Sequence, residues 1–555
     1  MKRLMIILMA ALPMLAMAQG TMNVKVDSVG KLAAQLGDQK FKVADLTVSG
    51  PLNGNDLKLL QDIVTRNKVD KNNPGECLVS VLDISGISIV EGKEGMKTDA
   101  NELPKSLFSG AKNLVKVVLP TSVNAISKGC FAGCTSLVEV SIPANITTIG
   151  VEAFQNCEKL AVITLPSGLK TLGNEAFDGC KSLTSIVIPN GISEINPQAF
   201  SKCKSLTSVT IPEGVKKIGS SAFKSCESLT NMVLPVSVKE IESSAFDGCE
   251  ALQTIQMASV SEIGVSAFHD CKNLTSVKLD NISKLGQLAF EGCDALQTVE
   301  MQGNLTDINT AAFKGCKSLS SISVPASVKI ISSHAFSGCK ALSAFNFPSS
   351  LTKINDKAFT GCASLRSVEL PGSLKYMGDH AFEECTSLET VTINGMIDEI
   401  ETNVFAKCSN LRKVVLPATV KRIGNEAFLN CALLSEINLP IVLQTIDPAA
   451  FEKCTSLQSL TLPVGVKSIG AFAFKECTSL TSIELPVALT KIGGSAFEKC
   501  TSLREVNLNC PTPPSISSDT FKGVTATFMI PKGTQQVYAI DKKWSKLSGL
   551  KEKEQ

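Results

Sequence analysis

Apolar and polar positions recur in one pattern, about every 23 residues, between residues 106 and 508 of the chain. In the unit from Leu169 to Pro189, the apolar positions are two leucines, an Ala-Phe pair, a cysteine and a run that alternates with polar residues. A fixed period of this length indicates stacked supersecondary units, because no single unit can bury its apolar side chains alone. The pattern therefore predicts an α/β solenoid of about 18 coils.

Each unit predicts the same succession of elements. Residues 183–188 alternate apolar and polar positions, which predicts a short parallel strand that ends at Pro189, since proline has no N–H for a ladder. Leu169 and Leu172 predict a second pair of inward side chains. The Ala-Phe-Asp-Gly run at 176–179 predicts a tight helical or 3₁₀ turn before the cysteine.

The sequence at the two ends of the array does not follow the repeat period. Within residues 19–105, the segments 43–50 and 78–84 alternate like strands, and a helix through 57–63 is predicted between them, with Asn55 as its N-cap. An array needs its open sheet edge and apolar end covered, so this region predicts an N-terminal α/β cap.

Residues 509–555 begin with three prolines at 511, 513 and 514, which are incompatible with another regular coil. This segment holds the single Trp, Trp544, and one of the two Tyr, Tyr538. It predicts a C-terminal cap in which these aromatics close the last coil. The alternative is an aromatic binding patch.

Residues 1–18 combine a basic start, an apolar run and an Ala-Met-Ala end, which is typical of a secretory signal peptide cleaved before Gln19. A transmembrane anchor is the alternative, and no other stretch approaches the roughly 20 apolar residues that span a bilayer. We therefore expect an exported protein that is periplasmic, at the outer cell surface or secreted.

Charge narrows the class of partner. Lys and Arg number 54 and Asp and Glu number 52, for a formal net charge of +2. A nearly neutral chain without a run of basic residues argues against nucleic acid or an anionic membrane as the main partner.

The repeated unit, Ile-x-x-x-Ala-Phe-x-x-Cys-x-x-Leu-x-x-Val/Ile-x-Leu/Ile-Pro, resembles the BspA-type leucine-rich repeat of bacterial surface and secreted proteins. Segments 49–56, 82–85, 89–92 and 530–533 are similar to the caps of such proteins from Gram-negative anaerobes. The resemblance implies a leucine-rich repeat fold and a non-enzymatic role in adhesion or host-protein binding. The cysteine precedes the strand leucine by three residues, so ligand positions of other leucine-rich repeat proteins do not transfer to this chain.

Most of the 20 cysteines share one position of the repeat. Parallel Cβ vectors in stacked coils oppose the torsion that a disulfide needs, which favours a ladder of reduced core thiols over occasional disulfides or metal binding. Cys77, Cys130 and Cys510 lie off the ladder, and a Cys77–Cys130 disulfide stays open. The ladder cysteines are Cys134, Cys157, Cys180, Cys203, Cys226, Cys249, Cys271, Cys293, Cys316, Cys339, Cys362, Cys385, Cys408, Cys431, Cys454, Cys477 and Cys500.

The sequence offers little for catalysis. His269, His334 and His380 are the only histidines, and the last two stand two coils apart, too far to share a metal. No phosphate-binding Gly-rich loop, His-Glu-x-x-His or Gly-x-Ser-x-Gly motif occurs. We therefore expect no enzyme, no metal and no cofactor.

The outward positions of the predicted strands form a surface of small hydroxyl residues on which six Glu outnumber two Lys. A solvated sheet face is one interpretation. The other is a shallow, mildly acidic surface for a protein partner such as a host or cell-envelope protein, with a glycan-binding or structural envelope protein as the alternative function. The candidate binding residues are Lys278, Glu300, Glu369, Lys413, Glu436, Glu484 and Glu505.

Overall fold

The computed structural model describes residues 20–66 and 78–554, so the predicted signal peptide and Cys77 lie outside the described residues. The chain forms two compact units, one up to Val260 and one from Ser261. In both units, parallel strands from successive coils pair with one another, which makes the fold a parallel β-solenoid.

The first unit opens with three parallel strands, β1 (Thr21–Lys25), β2 (Asp45–Leu52) and β3 (Val81–Ile89), paired in that order. β2 and β3 lie where strands were expected, and β1 was not anticipated. The helices are α1 (Leu32–Leu36) and α2 (Gly54–Thr65), and a 3₁₀ turn spans Gly37–Gln39.

The N-cap of α2 is Asn53, and the expectation of Asn55 was wrong. The Asn53 side chain accepts hydrogen bonds from the backbone N–H groups of Asn55 and Asp56, at 3.1 and 3.0 Å. The Asp56 carboxylate accepts in return from the Asn53 N–H at 3.3 Å. This reciprocal capping box satisfies helix N–H groups that a cap at Asn55 would leave unpaired.

One set of strands, here called the face strands, follows most of the ladder cysteines. Many pair in parallel with their counterpart one coil on, as Ser185 does with Ser208. In the first unit they are Lys116–Val118, Glu139–Ser141, Ser185–Val187, Ser208–Thr210, Asn231–Val233 and Thr254–Gln256. In the second they are Ser276–Ile282, Thr298–Gly303, Ser321–Ser323, Ser367–Leu370, Thr390–Ile393, Lys413–Val415, Glu436–Ile437, Ser459–Thr461, Ser482–Leu485 and Glu505–Leu508.

A second set of two-residue strands forms another parallel ladder, where the sequence predicted only a pair of inward side chains. Thr148 pairs with Thr171, for example, and Ile149 with Leu172. In the first unit these strands are Glu102–Leu103, Ala125–Ile126, Thr148–Ile149, Thr171–Leu172, Glu194–Ile195, Lys217–Ile218 and Glu240–Ile241. In the second they are Glu262–Ile263, Lys284–Leu285, Asp307–Ile308, Ile330–Ile331, Lys353–Ile354, Tyr376–Met377, Glu399–Ile400, Arg422–Ile423, Thr445–Ile446, Ser468–Ile469 and Lys491–Ile492.

The turn before each cysteine is not helical, so the predicted helical or 3₁₀ turns are corrected. The N–H of Phe177 donates to Ala199 of the next coil at 2.8 Å, whereas the N–H of Ala176 donates within its own coil to Gly173 at 3.3 Å. Glu175 adopts a left-handed φ of 56°, which breaks the helical run. Because every second N–H group donates to a carbonyl of the next coil, a helix cannot form. All described helices lie within residues 32–65 and 535–546.

The core is a set of columns along the array. The ring of Phe177 lies 5.3 Å from that of Phe154 and 5.6 Å from that of Phe200, with interplanar angles of 2° and 5°. Ile186 and Leu183 are buried beside them. Each aromatic ring therefore packs between the equivalent rings of its two neighbouring coils.

The second unit ends with strands Thr527–Ile530 and Leu550–Glu552, helix α3 (Gln535–Ile540) and a 3₁₀ turn at Trp544–Lys546. Tyr538 and Trp544 are fully buried. The Tyr538 hydroxyl donates to the Cys510 carbonyl at 2.8 Å, and Trp544 Nε1 donates to the Pro514 carbonyl at 2.8 Å. These aromatics pack within the fold, so the alternative of an aromatic binding patch is wrong.

Candidate binding surface on the face strands

The outward side chains of the face strands form a surface, here called the strand face. In the strand Ser185–Val187, the middle residue Ile186 is buried and both neighbours are exposed, Val187 by 64%. The side-chain period of two in a strand fixes this alternation. Most face strands share the pattern, so the core-facing positions recur while the two outward positions differ from coil to coil.

The seven predicted binding residues all lie on the strand face of the second unit, and all are exposed. The register brings two pairs together, Lys278 opposite Glu300 and Lys413 opposite Glu436. Glu369 lies opposite Thr392, and Glu484 lies opposite Asn507. The candidates therefore form separate points along one surface and do not converge on a single centre.

Neighbouring groups partly neutralise this surface. Lys413 Nζ lies 2.9 Å from the Glu436 carboxylate, and Lys278 Nζ lies 3.4 Å from Asp280 in its own strand. Both lysines and Glu436 are more than half exposed, so these pairs contribute little to stability. Within the described residues, Glu300 and Glu369 form no ion pair. The result is a weakly acidic surface, less negative than its glutamate count suggests.

A denser charge cluster lies on the second strands. Arg422 donates to Asp447 at 2.8 Å and to Glu401 at 3.1 Å, and it also contacts Glu399. Burial, and next the nearby Glu399 carboxylate, raise the pKa of Glu401. One guanidinium thus bridges three coils, an arrangement that sequence reasoning missed because the cluster joins residues more than 20 positions apart.

The ladder cysteines are buried free thiols in the described structure. Cys180 Sγ donates to the backbone carbonyl of Phe154 in the preceding coil at 3.2 Å. The same carbonyl accepts the Cys157 N–H at 3.2 Å. Each thiol therefore links two coils through a hydrogen bond as well as through packing. The prediction of a ladder of reduced core thiols did not include this hydrogen bond.

Burial raises the pKa of the Cys203 and Cys226 thiols far above the ordinary value. Towards the C-terminus the effect is smaller, and burial raises the pKa of Cys500 to about 12. A thiol held in the neutral form is a poor nucleophile and a poor metal ligand. The chemistry of the ladder is therefore structural.

Two of the three cysteines off the ladder are described. Cys130 and Cys510 are buried free thiols, and Cys510 Sγ donates to the Pro486 carbonyl at 3.1 Å. Because Cys77 lies outside the described residues, the Cys77–Cys130 disulfide stays a hypothesis.

The histidines occupy separate turns. His380 Nδ1 lies 2.8 Å from the Glu383 carboxylate of its own coil, and Lys407 lies 3.0 Å from the same residue. Burial, and next the nearby Lys357, lower the pKa of His334. In the part of the chain that the structure describes, no three His, Cys, Asp or Glu side chains are grouped so as to hold a metal ion.

The described helices include none that is long and apolar enough to cross a membrane.

Comparison with known proteins identifies the type of repeat. The model of the BspA type leucine rich repeat region, which contains six copies, matches residues 101–230, 193–320, 306–435 and 421–539. Together these ranges cover well over half of the chain. No curated protein sequence matches the chain at a significant level.

Several solved structures resemble the chain in part. A leucine-rich repeat protein from Bacteroides ovatus is 24% identical, covers 83% of this chain and 89% of its own, and gives a TM-score of 0.33. A leucine rich cell surface protein from Faecalibacterium prausnitzii is 26% identical over 61% and 91%, with a TM-score of 0.36. The pneumococcal vaccine antigen PcpA is 18% identical over 83% and 89%, with a TM-score of 0.30. The repeat and the family match together establish that the chain belongs to the BspA-type leucine-rich repeat family.

Proposed function

We propose that this chain is a non-enzymatic exported protein that binds another protein through the strand face of its repeats. The observation that carries the proposal is the contrast between the two sides of each face strand. Inward residues such as Ile186 are buried and recur in kind along the array, whereas outward residues such as Ser185, Glu369 and Lys413 are exposed and change. A solenoid presents this kind of variable, extended surface to its partner.

A protein partner fits this surface better than a glycan. Sugar-binding surfaces commonly present exposed aromatic rings, against which the sugar packs. The most exposed aromatics of the described chain lie elsewhere, Tyr376 on a second strand and Phe472 on a turn. Exposed hydroxyls and scattered carboxylates suit the polar rim of a protein interface. A glycan-binding or purely structural envelope protein stays the alternative.

The remaining assignments are part of the same proposal. Export rests on the signal sequence at residues 1–18, and the destination is the periplasm, the outer surface or the medium. Residues 19–105 and 509–555 act as end caps, and 106–508 form the repeat array. The absence of a catalytic motif in the sequence supports a role in binding.

The test begins by capturing a partner. The chain from residue 19 is immobilised and exposed to host-matrix and cell-envelope fractions, and the retained protein is identified by mass spectrometry. Replacing Glu369, Glu436 and Glu484 together by alanine is expected to weaken binding about tenfold or more, because the charges opposite them on the partner lose their counterparts.

The matched control replaces three glutamates off the strand face, Glu158, Glu227 and Glu384, whose side chains are 42%, 46% and 49% exposed. This variant is expected to bind like the unmodified chain. The proposal is wrong if the control variant loses binding while the strand-face variant retains it.

A further inference from the structure

The ladder of face strands is interrupted twice in the second unit, at residues 343–348, which form no face strand, and after Glu436–Ile437. Strand Glu436–Ile437 pairs with Lys413–Val415, and Ser459–Thr461 pairs with Ser482–Leu485. Among the described residues, however, no backbone hydrogen bond joins 436–439 to 459–462. Two neighbouring coils are therefore separated along the face strands.

The same two coils remain joined elsewhere. Thr445 pairs with Ser468 in the second ladder, and the N–H of Phe428 donates to Ala450 at 2.8 Å. The rings of Phe428 and Phe451 lie 5.3 Å apart, the usual spacing of the column. The opening is thus confined to the strand face and does not divide the core.

Asn438 makes an unusual contact beside the opening. Its Oδ1 accepts the Leu416 N–H at 2.8 Å, and its Nδ2 donates to the Leu416 carbonyl at 3.1 Å. In a regular coil the equivalent N–H donates to a backbone carbonyl, as Ile188 does to Thr210 at 3.0 Å. The side-chain amide has therefore taken the place of its own backbone carbonyl.

A second asparagine shows that the residue type alone is insufficient. Asn507 holds the same position in its coil, but its Nδ2 donates to Glu505 at 2.5 Å. Its strand, Glu505–Leu508, keeps full pairing with both neighbours.

The opening forms a groove of about 800 Å³ on the strand face. Ile437 and Leu439 are partly exposed in it, although the equivalent Val414 and Leu416 of the previous coil are buried. At its rim Ile441 and Val464 are 75% and 65% exposed. Apolar side chains therefore face solvent on the floor and on one side of the groove.

The polar groups of the groove indicate what it accepts. Lys413 and Glu436 are the charged residues of its lining, and they pair with each other, so the groove carries no net charge. Backbone N–H and C=O groups of 436–439 and 459–462 lack ladder partners there. An extended peptide backbone supplies alternating donors and acceptors to such groups, and its alternate side chains reach apolar pockets.

We propose that this groove binds an extended, uncharged segment of the partner polypeptide by β-strand addition, with alternate apolar side chains against Ile441 and Val464. This inference rests on the proposed function and locates one contact within it.

A phage-displayed library of random nonapeptides, selected on the chain from residue 19, tests the inference. The recovered peptides are expected to be apolar at alternate positions and to lose binding when a central residue is replaced by proline. Asn438→Thr gives the coil the residue that Thr461 supplies one coil later, and it is expected to restore the backbone hydrogen bond from Leu416 and to narrow the opening. It is expected to weaken peptide binding at least tenfold. Asn507→Thr is the matched control and should leave binding unchanged.

A second pair of variants tests the apolar rim. Ile441→Ser is expected to weaken peptide binding several-fold, whereas Val236→Ser, at the equivalent position after a proline in the first unit and 62% exposed, should not. Equal unfolding temperatures of all four variants exclude loss of fold as the cause.

The inference is overturned if selection yields no peptide that binds above background, or if Asn438→Thr binds the selected peptides as well as the unmodified chain. It is also overturned if Asn438→Thr changes the oligomeric state, since the occupant is then a second copy. If only the three-glutamate variant loses partner capture, the proposed function stands but the groove is not part of the interface. If peptides bind at the groove but no strand-face variant changes partner capture, the proposed function is rejected instead.

Discussion

Raising the pH from about 8 to about 10 in reducing buffer is expected to lower the free energy of unfolding steeply, because the buried thiols ionise only once the chain unfolds. Burial raises the pKa of Cys203 and Cys226 well above the ordinary value, and it raises the pKa of Cys510 to about 11. The folded pKa thus exceeds the unfolded pKa of about 8.5. This contribution is fully present below the unfolded pKa and is lost as the pH rises towards the folded pKa.

The loss in the free energy of unfolding adds up over the coils. Each thiol contributes at most about 1.4 kcal/mol per pH unit in this window, and coils that unfold together add their contributions. The exposed ion pairs of the lysine side chains contribute little to stability. The effect of the thiols therefore dominates.

Urea unfolding at several pH values, with thiolate ultraviolet absorbance recorded in parallel, measures the effect. Replacing Cys180, Cys203 and Cys226 by alanine is the control, and it should reduce the slope of stability against pH. An unfolding midpoint at pH about 10 equal to that at pH about 8 would contradict the buried neutral thiols.

The second large effect is expected from Phe177→Ala. Its ring packs between those of Phe154 and Phe200 at 5.3 and 5.6 Å and is fully buried. Removing it leaves a cavity that the neighbouring columns cannot fill, so we expect a loss of about 3 to 5 kcal/mol in the free energy of unfolding. Denaturant unfolding monitored by circular dichroism measures this loss.

Phe472→Ala is the matched control for that experiment. The Phe472 ring is 42% exposed and lies 5.3 Å from Lys475 Nζ. We expect a loss below about 1 kcal/mol, because little apolar surface and one exposed cation–π contact are removed. Equal losses in the two variants would show that the phenylalanine column does not support the array.

The repeat period predicted much of this architecture. The alternation around Ile186 placed the strand and its buried side correctly, since a strand has a side-chain period of two. The same alternation identified Glu369, Lys413 and the other candidates as exposed positions. A pattern repeated in every coil is informative because every coil meets the same neighbours.

Other features depended on contacts between coils, which local sequence does not reveal. The segment around Ala176 was expected to be helical, but alternate N–H groups donate to the next coil. Asn438 and Asn507 share one position of the repeat, yet the ladder is open beside the first and intact beside the second, and their side chains donate to different partners. Asn53 was the exception, since the Asp56 that completes its capping box is visible three residues later.

Carboxylate labelling of the complex tests the central claim most directly. The chain is modified by a water-soluble carboxylate reagent with and without the captured partner, and modification of each glutamate is measured by mass spectrometry. The account predicts that labelling of Glu369, Glu436 and Glu484 falls several-fold in the complex while that of Glu158 and Glu227 is unchanged. Protection of Glu158 and Glu227, with the three strand-face residues labelled as in the free chain, would contradict it.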